Sequence, residues 1–300
     1  MRTDLDHLPE AKQEDLRRAL EVIFSEFEDA NSIANATWKR QARIDKIVLY
    51  GGHARGDRAS DVPDGYSPTY DLLVVVNHER LLDPNSDLWI RIDDRLRRDH
   101  AIMRRVSTRT NVLARTLKDV NFQLSRGRPF FIDIVRDGIM LYEVDERPFD
   151  TPAVLPPERA LEEAQSYYAQ WFATAGEFLD LARFAIGKGY RNRAAFQLHQ
   201  ATEQLYHTVL LVLKRWSPKS HNIQFLRDRS EDVARDLIRI WPGKSKFDNR
   251  CWELLRQAYV RGRYSPHYKI TDAELAWLVE RVDLLQSEVK RIAEERIVRG

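Results

Sequence analysis

Two glycines and two aspartates give the first sign of chemistry. The segment Leu49-Tyr50-Gly51-Gly52-His53-Ala54-Arg55-Gly56-Asp57 closes one apolar run, and Tyr70-Asp71-Leu72-Leu73-Val74-Val75-Val76 forms a second. Glycine has no Cβ, so the backbone at Gly51 and Gly52 can turn sharply and a ligand can come close. Backbone N–H groups freed after such a turn suit a phosphate. Asp71 stands where the second run begins, in position to hold a divalent cation beside that phosphate. A third run, Pro129-Phe130-Phe131-Ile132-Asp133-Ile134-Val135, carries another acid. Read as a strand, it places Asp133 inside a buried element, where a carboxylate is costly unless paired or metal-bound. A Gly-Gly turn alone is usually only a turn; Arg55, Asp57 and the two acids sharpen it.

The second half of the chain offers two more constellations. His199 and Glu203 are four residues apart, hence on one face of a helix. A core histidine with its hydrogen bonds satisfied is the plainer reading of His199. Further on, Arg261-Gly262-Arg263-Tyr264-Ser265-Pro266-His267-Tyr268 gathers cations, a histidine and two tyrosines where a helix ends.

The elements that must position these groups follow from periodicity and breakers. A helix begins at Leu8-Pro9-Glu10, with Leu16, Leu20, Ile23, Phe24 and Phe27 on one face, and runs through Trp38 toward Arg43. Residues 88–117 are dense in arginine, but Asp93, Asp94 and Asp99 are interleaved, so a salt-bridged face is favoured over a phosphate patch. Val112-Leu113-Ala114 suits a middle strand, residues 117–124 a helix, and Gly138-Ile139-Met140-Leu141-Tyr142-Glu143 a closing strand. Pro148, Pro152, Pro156 and Pro157 then mark a linker, because proline lacks the donor that a helix interior or central strand needs. This divides the chain into residues 1–152 and 153–300. Five amphipathic helices follow, over about 158–186, 191–214, 223–240, 247–260 and 272–298. Thr271 and Glu274 form a capping box at the start of the last one. Such a run of helices with short breaks predicts an antiparallel bundle. The fold class is α+β.

Composition sets outer bounds. The 300 residues carry 31% charged and 43% hydrophobic side chains and a net charge of +2. This is a globular composition without a strong overall pull toward nucleic acid. Cys251 is the one cysteine, which excludes an internal disulfide and a thiolate metal cluster. Residues 1–10 are polar and acidic, and no run approaches the ~20 apolar residues of a membrane span. The expectation is a cytoplasmic protein without a membrane partner.

The first half resembles the minimal nucleotidyltransferases of the polymerase-β-like superfamily. The residues that carry the resemblance are Gly51, Gly52, Ala54, Arg55, Gly56, Asp57, Asp71 and Asp133. It implies a mixed sheet with helices that binds a nucleoside triphosphate, ATP foremost, with Mg²⁺. Gly51, Gly52 and Arg55 would hold the phosphates, and Asp71 and Asp133 the metal. The nucleotidyl group would pass to a hydroxyl acceptor, including a protein tyrosine such as Tyr264 or Tyr268. The family's Asp-x-Asp pair is here Thr69-Tyr70-Asp71. Nucleotidyl transfer uses two metals roughly 3.5–4 Å apart, so Thr69 weakens at least one metal site. Asp57, Asp61 and Asp64 are the residues placed to compensate.

The second half resembles the HEPN family of helical bundles, found fused to or encoded beside such transferases. Leu198-His199-Gln200-Ala201-Thr202-Glu203, His221-Asn222 and the Arg-Tyr-x-x-x-Tyr run carry it. HEPN ribonucleases use an Arg-x(4–6)-His motif without metal, and Arg261 and His267 fit, with five residues between them. Histidine can move a proton near neutral pH and arginine can stabilise a phosphorane charge. The resemblance implies a homodimer through this half. It leaves three functions open: a nucleotidyltransferase, a toxin-like endoribonuclease acting on RNA and regulated by a degraded transferase half, or a catalytically silent nucleotide-binding module.

Overall fold

A computed structural model of the chain describes residues 1–32, 36–56, 68–83, 86–144 and 147–299. The chain divides after Val154 into two compact units.

The N-terminal unit is one four-stranded sheet with helices against it. In chain order it comprises α1 (Glu10–Ser32), α2 (Thr37–Arg40), β1 (Ile44–Tyr50), α3 (Gly52–Arg55), β2 (Tyr70–Val76), α4 (Asp87–Ala101), β3 (Thr110–Thr116), α5 (Leu117–Ser125), α6 (Pro129–Asp137) and β4 (Ile139–Glu143). The sheet order is β3-β2-β1-β4. β1 runs antiparallel to β2 and β4, and β2 runs parallel to β3. Every residue of β1 and β2 is buried, as expected of central strands covered on both faces. This explains their near-continuous aliphatic sequence. Within it, Lys46 is buried and reaches out to Glu143 on β4.

The first helix ends at Ser32, and Thr37–Arg40 is a separate turn, so the long single helix predicted from the sequence is two elements. The arginine-rich stretch is salt-bridged, in agreement with its interleaved acids. Arg91 and Arg95 pair with Glu26, Arg18 and Arg105 with Asp99, and Arg97 with Asp94. α4 is thereby tied to α1.

The larger correction concerns residues 129–135, which form helix α6 and not a strand. Pro129 stands at the first helical position, where its missing N–H costs nothing and its fixed φ suits the helix. Phe131 and Ile134, three apart, are the buried pair. Gly138 then lets the chain double back into β4. A Cβ there would meet the Ile134 carbonyl at 2.3 Å and Val48 at 2.7 Å, so only glycine permits the approach.

The C-terminal unit is helical throughout. It comprises α7 (Pro157–Tyr167), α8 (Ala173–Gly187), α9 (Arg191–Lys214), α10 (Ile223–Val233), α11 (Lys246–Ala258), α12 (Arg261–Tyr264) and α13 (Asp272–Arg299). Residues Tyr168–Phe172 form a π-helical link that makes α7 and α8 one continuous rod. Fifteen residues of α9 are buried, so it is the central helix around which the others pack. Leu198, Ala201, Leu205, Tyr206 and Val209 meet Leu179, Leu255, Leu278 and Leu285 in its core. The predicted capping box holds: the Thr271 Oγ1 accepts from the Glu274 N–H at 3.2 Å, and the Glu274 carboxylate accepts from the Thr271 N–H at 2.8 Å. No helix among the described residues is long and apolar enough to cross a membrane.

Candidate functional site

In the N-terminal unit the sheet edge brings together a turn and one carboxylate. Gly51 has φ 77°, the left-handed region that favours glycine, and the single turn α3 follows it. Tyr50, the residue before the turn, is opposite Asp71 in the β1–β2 register. Gly51, Gly52 and Asp71 therefore meet at one end of the sheet, as the sequence predicts. Asp71 is only 2% exposed. Asp57, Asp61 and Asp64 lie outside the described residues.

The β2–β3 register identifies the third residue of this site. Asp71 is paired in parallel with Asn111. The Asn111 Nδ2 donates to Asp71 Oδ1 at 3.1 Å and to Thr69 Oγ1 at 3.2 Å, and the Thr69 hydroxyl donates to Asp71 Oδ1 at 2.9 Å. The cluster is thus a hydroxyl, a carboxylate and a carboxamide. Asp133 lies on the flank of α6, 27% exposed, with its carboxylate 2.9 Å from Arg136. Because residues 129–135 are helical, Asp133 is not on a strand; the residue paired with Asp71 is Asn111 on β3. Nothing in the sequence alone flags Asn111, because a parallel register between strands joined by a helix is invisible there.

Among the described residues this donor set, with one carboxylate, does not fit a pair of Mg²⁺ ions. Mg²⁺ requires near-octahedral oxygen ligands anchored by one or two carboxylates, and two adjacent ions need shared negative charge to offset their repulsion. Thr69 and Asn111 present their hydrogens to Asp71, so two of three positions hold neutral groups whose donors point inward. Among the described residues no group of three or more His, Cys, Asp and Glu side chains is arranged to hold a metal.

The C-terminal unit concentrates its polar groups on one face of α9. His199, Glu203 and His207 recur every four residues and are all buried. The His199 Nδ1 lies 2.9 Å from the Leu255 carbonyl, and its Nε2 is 3.5 Å from Glu203. It is a core histidine, as its plainer reading holds. His207 is packed on Trp171 and bonds the Ser217 hydroxyl at 2.6 Å. Burial pushes its pKa down to about 4. Glu203 receives a further partner, His221, whose Nδ1 lies 3.0 and 3.1 Å from its two oxygens. Burial raises the Glu203 pKa, but the two histidines outweigh it, and the net shift is downward. The carboxylate is therefore held charged inside the bundle.

Arg261 and His267 stand on the surface at the α11–α12 corner and the loop after it. Arg261 donates to Gln257 at 3.1 Å. The His267 backbone N–H donates to Ser265 Oγ at 3.3 Å. Tyr259 organises this corner. The His221 ring stacks on it at 4.5 Å and 16°, and the Arg263 guanidinium sits 4.4 Å from its centroid and 4.9 Å from that of Tyr264. Tyr264 is 73% exposed, whereas Tyr268 is buried and its hydroxyl donates to the Leu254 carbonyl at 2.9 Å. Of the two tyrosines considered as acceptors, only Tyr264 offers its hydroxyl to solvent. Beside this loop, a pocket of about 840 Å³ is lined by Tyr190, Arg193, Lys269 and Arg191, the last paired with Asp272 at 2.6 Å.

A helical bundle with a histidine–arginine surface loop defines the class of the C-terminal unit. Residues 168–292 match the HEPN domain family. No curated protein matches the chain.

Proposed function

We propose that the chain is a metal-independent endoribonuclease of the HEPN type, whose N-terminal unit binds a nucleotide without transferring it. The observation that carries the ribonuclease reading is the pair of exposed side chains Arg261 and His267, whose segment leads directly into a pocket bearing Arg193 and Lys269 beside the Arg191–Asp272 ion pair. These cations complement a phosphate backbone. Arginine stabilises charge on a phosphorane, and histidine moves the protons that a metal would otherwise make unnecessary.

Against transfer stands the neutral character of Thr69 and Asn111 around Asp71. The Gly51 turn and Arg55 still suit a triphosphate, foremost ATP, so this unit serves as a nucleotide sensor for the ribonuclease, in the manner of a toxin restrained by its partner. The reading includes a homodimer through the bundle, and it is supported by Leu181, Phe184 and Leu284 exposed on α8 and α13.

The test is cleavage of single-stranded RNA by the full chain in the presence of EDTA. Wild type is expected to cleave with EDTA present, and Arg261→Ala or His267→Ala to lose at least ~100-fold in rate, the usual scale for a group acting in the transition state. Cleavage abolished by EDTA, or untouched by both substitutions, would refute the reading.

A further inference from the structure

A transesterification without metal has two protons to move. One leaves the attacking 2′-hydroxyl and another must reach the departing 5′-oxygen. The Arg261–His267 pair contains one histidine. Its ring makes no hydrogen bond with the described residues, so nothing there fixes its tautomer or direction.

His221 has what His267 lacks. Its side chain is 58% exposed, yet its Nδ1 is anchored to Glu203, whose side chain is only 4% exposed. One face of the ring is covered by Tyr259 at 4.5 Å. Nδ1 and Nε2 flank Cε1 and their bonding directions diverge, so a ring tethered through Nδ1 to a buried carboxylate turns Nε2 away from that carboxylate. A charged, buried carboxylate behind Nδ1 holds the imidazole in one tautomer and stabilises the imidazolium formed when Nε2 takes a proton. Tyr259 also carries Arg263 against its ring, and Arg261 follows two residues later. An oriented imidazole and the Arg263 guanidinium therefore both pack on one tyrosine.

We propose that His221 is a second catalytic residue of the ribonuclease site, acting as general base, with Glu203 as its positioning residue. This rests on the ribonuclease reading above. His221 Nε2 takes the proton of the 2′-hydroxyl as the O2′–P bond forms and the P–O5′ bond breaks. His267 delivers a proton to O5′. The products are a 2′,3′-cyclic phosphate and a 5′-hydroxyl end, with no oxidant, water or metal consumed. The substrate class is RNA with a free 2′-hydroxyl, single-stranded so that the backbone can reach an in-line geometry.

The experiment measures cleavage of a labelled single-stranded RNA by the full chain in EDTA, with kcat and KM separated. Wild type, His221→Gln, His221→Ala and Glu203→Gln are compared, and each variant's melting temperature is recorded. The expected result is a loss of at least 100-fold in kcat for both His221 variants with KM within threefold. His221→Gln should melt within two degrees of wild type, and added imidazole should restore at least tenfold of the His221→Ala loss, because the site is open to solvent. Glu203→Gln keeps a hydrogen-bond acceptor for the ring and should lose about tenfold in kcat. If wild type cleaves and folded His221→Gln cleaves within threefold of it, the His221 proposal is overturned while the ribonuclease reading survives. If wild type cleaves no RNA, both fall. If His221→Ala falls and imidazole gives no rescue while His221→Gln stays active, His221 is a structural tether and the proposal is overturned.

Discussion

Two buried carboxylates in this chain have opposite surroundings. Asp71 sits among a hydroxyl and a carboxamide, both donating to it. Glu203 sits between two histidines, one in the core and one reaching the surface. The first arrangement satisfies a carboxylate with neutral partners and leaves little charge for a metal. The second stores a negative charge beneath a solvent-exposed histidine. The contrast shows why a sequence motif and a functional site are different things. Gly51-Gly52 and Asp71 meet at one end of the sheet, yet the described groups around Asp71 are neutral. The C-terminal unit keeps its charged carboxylate next to a histidine that reaches the surface.

The strongest way to break this comparison is to remove the charge that is stored. Glu203→Ala strands His221 and the buried His199 without their shared partner. His221 is 58% exposed, so the loss is that of hydrogen bonds to a charged group, about 1.5–3 kcal/mol. The expected outcome is a large drop in the stability of the C-terminal unit, read by urea unfolding followed through tryptophan fluorescence. A loss below about 1 kcal/mol would show that Glu203 is not holding the loop to α9.

The complementary experiment adds charge where those groups are neutral. In Thr69→Asp combined with Asn111→Asp, the register on β2 and β3 places two new carboxylates beside Asp71. Cation affinity scales with the number of charged ligands, so Mn²⁺ binding, followed by electron paramagnetic resonance, should tighten by on the order of 100-fold over wild type. Equal Mn²⁺ affinity in the two proteins would mean that wild type already draws carboxylates from elsewhere.

A smaller effect comes from His207, the third member of the α9 stripe. Its folded pKa, about 4, lies below the ordinary histidine value of 6.5 because burial disfavours the cation. The unfolded chain therefore binds the proton first. Stability contributed by the neutral ring is full above about 6.5 and is lost as pH falls from there toward 4. At pH 5 the loss is about 2 kcal/mol. The lowered pKa of Glu203 acts in the same direction at lower pH, since a depressed carboxyl loses its contribution as pH falls through its folded value. His207→Gln removes only the first component, so the variant's stability should fall by about 2 kcal/mol less than wild type's between pH 7 and 5. Parallel curves would contradict a neutral buried His207.

How much of this could be read from the sequence depended on whether the determinant was local. α9 spans Arg191–Lys214 and α13 starts after a Thr271 cap, because helical spacing and caps are properties of neighbouring residues. The Gly51 turn and the Asp71 strand start were legible for the same reason. Asn111 and the Glu203–His221 pair were not. Each joins segments far apart in the chain, and an asparagine in a strand or a histidine in a loop carries no label of its partner. The residue 129–135 run failed for a third reason. Seven residues of mixed apolar and acidic type fit either period, and the decision lay in the Pro129 start and in the tertiary burial of Phe131 and Ile134.

That last ambiguity gives the smallest expected effect and a sharp one. On a buried strand facing the Gly51 turn, Asp133 would hold metal or act as base, and its loss would abolish the triphosphate binding proposed above. On α6 it faces Arg136 at 2.9 Å as a partly exposed i,i+3 pair, of a kind worth about 0.3–0.5 kcal/mol. Asp133→Asn should therefore leave ATP affinity, measured by titration calorimetry, within twofold of wild type. Asp71→Asn, measured alongside, tests the residue that the sheet does place beside Gly51. A loss of tenfold or more in Asp133→Asn, with Asp71→Asn silent, would reverse the assignment and return Asp133 to the site.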